Sequence, residues 1–283
     1  MPWTFEHLKW LVDTGERLKT TDGKDVQIWE FNHQKDQEIL SAWAKHFRNH
    51  YCLDVDIDVM RLSQQPRADY LTEIKFPSKT SKLGPGIRAG DFGEILCADY
   101  LEYVLGYWVP RMRWDSKMIR DESAKGCDVL GFKFYEEGCS SPKDILAVIE
   151  AKTKFSNSTK NRMVDAVRDS AKDHLRIAES LNYIKQRFRQ QTAMDKVKVV
   201  ERFQTPVDDP YKEVYGAAAL YTDTFYSDSE VTLTDTGSLP KSEKNPKTTF
   251  SHPHRDQLML IVIKGPDMMQ LVHDLYQRAA DEA

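Results

Sequence analysis

One run of residues constrains this chain more than any other: Ile145-Leu-Ala-Val-Ile-Glu-Ala-Lys152. In a β-strand successive side chains alternate between faces, so Glu150 and Lys152 project to one side and Ala151 to the other. A run this apolar fits a central strand covered on both faces. Charges placed there are costly unless paired. Two opposite charges at the end of a buried strand therefore need a chemical reason, and a metal-dependent phosphodiesterase site supplies one.

Composition narrows the setting. The 283 residues suffice for one large domain or two modest ones. No window approaches the ~20 apolar residues of a membrane helix. The start Met1-Pro-Trp-Thr-Phe-Glu-His7 lacks the basic and apolar regions of a signal peptide. The expectation is a cytoplasmic protein without membrane contact. Cys52, Cys97, Cys127 and Cys139 show no metal-type spacing and read as reduced thiols. The net charge is -4 and the pI about 6.1, unlike a stand-alone nucleic-acid binder. If DNA is the substrate, basic residues are segregated onto one face or a partner delivers the DNA.

Along the chain, periodicity predicts a mixed α/β segment over 1–80 and a larger unit over 81–283. In the first, 26–31 alternates as a strand and 36–51 carries helical spacing. Asp54, Asp56 and Asp58 alternate with aliphatics and read as the solvated face of a strand. In the second, 83–90 reads as a Gly-rich loop, after which Asp91 caps a helix with Glu94 at N3 and Gly106 closing it. Strands are expected at 107–114, 127–134 and 144–152, with a turn over 138–142. One amphipathic helix follows over 157–191, with basic residues and the acids Asp165, Asp169, Asp173 and Glu179 on its solvated face. Strands at 214–221 and 258–263 flank a mobile polar excursion over 227–253. Pro266 opens the last helix. His252 and His254 read as loop residues because no third metal ligand is evident. The order is helix, three strands, helix, strand, strand, helix: an α/β fold with one central mixed sheet.

Glu94, Asp128, Glu150 and Lys152 stand out as chemistry. If the second and third strands of the larger unit pair as a hairpin, Asp128 approaches Glu150. Mg²⁺ takes oxygen ligands and keeps several waters, so two or three carboxylates suffice to hold it. Such a metal lowers the pKa of bound water and neutralises charge on a phosphate, and a neighbouring lysine orients or deprotonates the attacking water. Three carboxylates and one ammonium leave a deficit of two positive charges, which a divalent ion fills.

Gly90-Asp-Phe-Gly-Glu-Ile-Leu96, Gly126-Cys-Asp-Val-Leu-Gly-Phe132 and Val148-Ile-Glu-Ala-Lys-Thr153 resemble the PD-(D/E)xK nuclease superfamily. Within it, they look like the nuclease subunit of the Hachiman anti-phage system, the HamA family. The resemblance spans roughly 80–280. It implies a restriction-endonuclease-like core with an N-terminal α/β extension, a DNA nuclease dependent on Mg²⁺ (with Mn²⁺ able to substitute), and a superfamily 2 helicase partner (HamB-like). It places Asp128, Glu150 and Lys152 in the D…E-x-K roles and Glu94 as the helix carboxylate, with Asp128, Glu150 and Glu94 as metal ligands. The superfamily's eponymous proline is absent, since Cys127 precedes Asp128. Lys154, Lys160, Arg162 and Arg168, after the E-x-K, are the candidate DNA contacts. Trp3, Phe5, Trp10 and Trp29 are the candidate helicase interface, because aromatic residues are enriched in interface cores, and core packing accounts for them equally well. Two rival readings are a stand-alone restriction-type endonuclease, for which no recognition module is apparent, and a non-catalytic assembly or sensor subunit, against which the intact residue set argues.

Overall fold

The computed structural model describes residues 4–136, 138–242 and 244–283. A short 3₁₀ turn, Glu6–Trp10, leads into strands β1 (Leu11–Lys19) and β2 (Asp25–Phe31) and helices α1 (Gln37–Asn49), α2 (Asp54–Met60) and α3 (Arg67–Tyr70). Then come α4 (Gly84–Asp99), β3 (Val129–Lys133), β4 (Ile145–Lys154), α5 (Arg162–Ser170), α6 (Asp173–Gln190), α7 (Met194–Arg202) and β5 (Lys212–Thr222). The chain closes with α8 (Asp228–Thr232), a hairpin of β6 (Leu239–Ser242) and β7 (Asn245–Phe250), β8 (Leu258–Gly265) and α9 (Met268–Asp281).

Six strands form one mixed sheet in the order β1-β2-β8-β5-β4-β3. Its four inner strands run parallel, and an antiparallel strand closes each edge. The sheet is covered on both faces, as the apolar run of β4 requires. Ala147, Ile149 and Ala151 pack with α4, α9 and α1, whereas Leu146 and Val148 pack with α6 and α7. Farther along the second face, Met163, Ala166 and Val167 of α5 cover β2, β5 and β8. Small residues let the layers close: a Cβ at Gly93 of α4 would lie 2.6 Å from Thr153 Cγ2, and one at Gly216 of β5 2.9 Å from Ile149 Cγ1. The first 80 residues are continuous with the rest, because β2 pairs with β8 from Val26↔Leu260 to Glu30↔Lys264.

Several elements differ from the sequence expectation. Residues 54–60 are a helix, not a strand. Only Ile57 of it is buried, so the alternation does not mark a sheet face. The loop expected at 83–90 is the first part of α4, whose start carries Pro85 and whose Gly84 N–H donates to Ser81 Oγ at 3.0 Å. Asp91 is therefore not a cap, and Glu94 lies deep inside the helix rather than at N3. A π-helical turn, Tyr100–Val104, extends α4 before Gly106, at φ +72°, ends it as expected. Residues 107–114 contribute only a bridge between Trp108 and Phe132, because Pro110 and the left-handed Arg111 (φ 55°) break the extended backbone. The core thus has two strands, not three, between its first two helical blocks. The single helix over 157–191 is two, α5 and α6, and α7 follows. The described residues of the polar excursion are ordered: Glu230 pairs with Lys154, its carbonyl accepts from Asn161 Nδ2 at 2.8 Å, and Asp22 binds Thr236 and Arg255. Pro266 lies just outside α9, before Asp267 at φ 44°.

Candidate functional site

β4 carries the site at its C-terminal end. The side-chain parity that sends Leu146 and Val148 toward α6 also sends Glu150 and Lys152 there. Glu150 is 3 % exposed. Lys152 Nζ bonds Glu150 Oε1 and lies 3.1 Å from Asp169 Oδ2, near the end of α5. Asp128 immediately precedes β3, which pairs antiparallel with β4 through Val129↔Ile149. Its Oδ2 accepts the Ala151 N–H at 3.1 Å. The hairpin therefore brings Asp128 beside Glu150 and Lys152, as the spacing anticipates.

Glu94 reaches the site from the opposite face of the sheet, and a residue that the sequence reading missed makes the link. Arg113 Nε donates to Glu94 Oε2 at 2.8 Å, and its Nη2 donates to Asp128 Oδ1 at 2.8 Å. The same guanidinium donates to the Cys127 carbonyl at 2.6 Å and the Ala124 carbonyl at 3.0 Å. Trp114 Nε1 also donates to Glu94 Oε2, at 3.2 Å. Residues 111–117 double back along α4 in three paired steps: Arg111 with Asp99 at 2.6 Å, Arg113 with Glu94, and Lys117 with Asp91 at 2.6 Å. In sequence the only trace is the basic cluster Arg111-Met-Arg113.

Two acids assigned to a solvated helix face belong to the site as well. The break between α5 and α6 sets Asp169 against Lys152 and lets Arg176 link Asp173 with Glu150. Arg176 Nη1 lies 3.8 Å from Glu150 Oε2 and 3.4 Å from Asp173 Oδ1. Asp165 is likewise buried, between Arg162 and Arg168. No sequence signal separated these acids from an exposed i,i+4 pattern.

Burial and mutual repulsion dominate the electrostatics. Burial, then the Asp128 charge, pushes the Glu150 carboxyl up to about 8. Burial does the same to Glu94, up to about 8, against the pull of Arg113. Asp173 is pushed up to about 8 by burial and then by Glu150 and Asp128. Burial works against the Lys152 ammonium, but Glu150 and Asp128 outweigh it and hold its pKa above the ordinary range. The group thus holds more potential negative charge than its cations neutralise. It is suited to hold a hard divalent cation through oxygen.

The other predicted residues fall differently. Lys154 is buried against Glu230, and Arg168 is buried against Asp165. Arg162 pairs with Asp165 at 3.1 Å, and Lys160 is exposed. The four do not form an open phosphate track. Trp10 and Trp29 are core residues packed edge-on to Phe31 and Tyr100 respectively, while Phe5 is exposed. Trp3 lies outside the described residues. His252 is buried, with Nε2 3.1 Å from Ser170 Oγ, and His254 stacks on Tyr215. Among the described residues, His46, His50 and Asp99 bring metal-competent atoms within 4.8 Å of one another. There the Arg111 guanidinium already supplies the cation, donating to His50 Nε2 at 2.8 Å beside Asp99.

Fold and site define a mixed α/β protein with a buried carboxylate and lysine cluster at the end of its central strand. The HamA family model matches residues 6–279, nearly the whole chain, and the chain belongs to that family, HamA of the Hachiman anti-phage system. No curated protein matches it. Among the described residues no helix is long and apolar enough to cross a membrane.

Proposed function

We propose that this protein is a Mg²⁺-dependent DNA nuclease of the PD-(D/E)xK type, acting as the cleaving subunit beside a helicase in Hachiman defence. The observation that carries the reading is the convergence of Asp128 on Glu150 and Lys152 at the end of a doubly covered strand. The donor set fits a hard divalent ion: Glu150 Oε2 is buried with no hydrogen-bond partner among the described residues, beside a second carboxylate. Asp128 and Glu150 would hold the ion, which supplies an acidified water and charge neutralisation at the phosphate. Lys152, held as an ammonium by the surrounding acids, is placed to orient the nucleophile and to stabilise developing negative charge. Glu94, through Arg113, fixes the Asp128 carboxylate. Lys154, Arg162 and Arg168 are already paired with acids, so a helicase partner that brings the DNA accounts for the weak grip expected of a chain with net charge -4.

The test is a cleavage assay with the helicase present. Glu150→Ala and Lys152→Ala should each lower the rate by more than about a hundredfold. EDTA should stop the wild type, and Ca²⁺ should replace Mg²⁺ poorly because its coordination is longer and looser. Wild-type rates in both folded variants would sink the assignment.

A further inference from the structure

We infer that Asp173 is the third carboxylate of a divalent-cation site shared with Asp128 and Glu150. The inference rests on the nuclease reading above and changes which residues complete its site. Strand parity comes first. Glu150 points toward α5 and α6, whereas Glu94 stands on α4, across the sheet. On the side of Glu150 stand Asp169, which pairs with Lys152, and Asp173, at the first position of α6, which shares Arg176 with Glu150.

Hydrogen bonding separates the two candidates further. Glu94 Oε2 already accepts from Arg113 and Trp114, and Oε1 faces Arg113 at 3.5 Å. The Asp173 side chain is 0 % exposed, and its Oδ2 has no hydrogen-bond partner among the described residues. Glu150 Oε2 is in the same condition: Arg176 Nη1, at 3.8 Å, is beyond hydrogen-bond range. A buried acceptor left unmade is costly, and more so when charged. Two such oxygens on facing elements, tied to a single guanidinium, leave a place for a second positive charge. The donors are all oxygen, which selects Mg²⁺ or Mn²⁺ over softer ions. The three carboxylates do not gather within 4.8 Å as His46, His50 and Asp99 do. Direct ligands of one Mg²⁺ lie within about 4.2 Å of one another, so Asp173 would act on the ion through one of the waters that it keeps. The competing account makes Asp173 a helix-start acid that serves only Arg176 and the dipole of α6.

The two accounts differ in how the protein responds to metal. Mn²⁺ binding to the full chain is followed by electron paramagnetic resonance, and thermal unfolding is measured with and without Mn²⁺. Wild type should bind Mn²⁺ and gain thermal stability from it. Asp128→Asn should lose both responses. Asp173→Asn should bind Mn²⁺ at least about tenfold more weakly, the scale of effect seen when the support of a metal site is removed, and should lose most of the thermal gain. Wild-type Mn²⁺ affinity in Asp173→Asn, with Asp128→Asn defective, would overturn the role of Asp173 and leave the nuclease reading standing. No Mn²⁺ binding by wild type would overturn both. If Asp173→Asn does not fold, Asp173→Ser carries the same comparison; failure of both to fold would assign Asp173 to the fold and end the inference.

Discussion

At the scale of single residues, Arg113 shows how one cation organises several buried anions. It donates to two carboxylates and to the carbonyls of the 124–127 loop. A planar guanidinium with five N–H groups does this, and a lysine cannot. Arg113→Ala would leave the buried Glu94 and the half-buried Asp128 without their shared partner. It should cost about 3–5 kcal/mol, and Arg113→Lys should recover less than half of that. Urea unfolding of the three proteins measures both values; a loss under about 1 kcal/mol for the alanine variant would show that the ion pairs are not structural. The three carboxyls pushed up to about 8 have the same origin, because water is excluded before enough positive charge is supplied. The primary structure showed Glu94, Asp128, Glu150 and Lys152 as candidates through their places at strand and helix positions. Arg113, Asp169 and Asp173 were not legible, because a surface ion pair and a buried one have the same spelling.

At the scale of elements, the ordered excursion between β5 and β8 has a pH-dependent anchor. His252 sits against α5, its Nδ1 accepting the His254 N–H at 3.1 Å, so the proton resides on Nε2, facing Ser170 Oγ. Burial, with His254 and His174 nearby, lowers its pKa to about 4. On acidification the unfolded chain takes up this proton first. The stability His252 contributes is therefore complete above pH ~6.5 and is lost as pH falls from there toward 4. Between pH 7 and 5 the loss should be on the order of 2 kcal/mol. His252→Gln should lack that part of the slope in chemical denaturation at the two pH values. Equal slopes for wild type and variant would place the acid sensitivity elsewhere, with buried His7 and His50, also lowered by burial, as the next groups to test. The excursion was read as mobile because its composition is polar. Its order comes from contacts with Lys154, Asn161 and Asp22, which are remote in sequence.

For the molecule as a whole, the sheet does not respect a boundary at residue 80. β2 is hydrogen-bonded to β8, and Trp43 and Phe47 of α1 share a core with Phe92 of α4 and Tyr276 of α9. Removing residues 1–80 would expose the edge of β8 and the apolar side of α9. The 81–283 fragment should then be aggregated or molten, without a cooperative thermal transition. A soluble fragment with a sharp transition by circular dichroism would restore an independent larger domain. The same packing explains why Trp10 and Trp29 are unsuited to a partner surface: both are needed inside.

What the amino-acid order determined by itself was local and periodic. Alternation and apolar runs specified the β2, β4, β5 and β8 strands, helical spacing specified α1 and α9, and strand parity put Glu150 and Lys152 on one face. These properties depend only on backbone geometry and on which side chains avoid water. The tertiary structure decided the rest. It joined the first 80 residues to the sheet, broke the basic helix so that Asp169 and Asp173 turn toward β4, and folded 111–117 back along α4. Each of those outcomes depends on a charge meeting its partner across long sequence separations in a space without water. The energy of that meeting is set by burial, and burial is a property of the assembled fold.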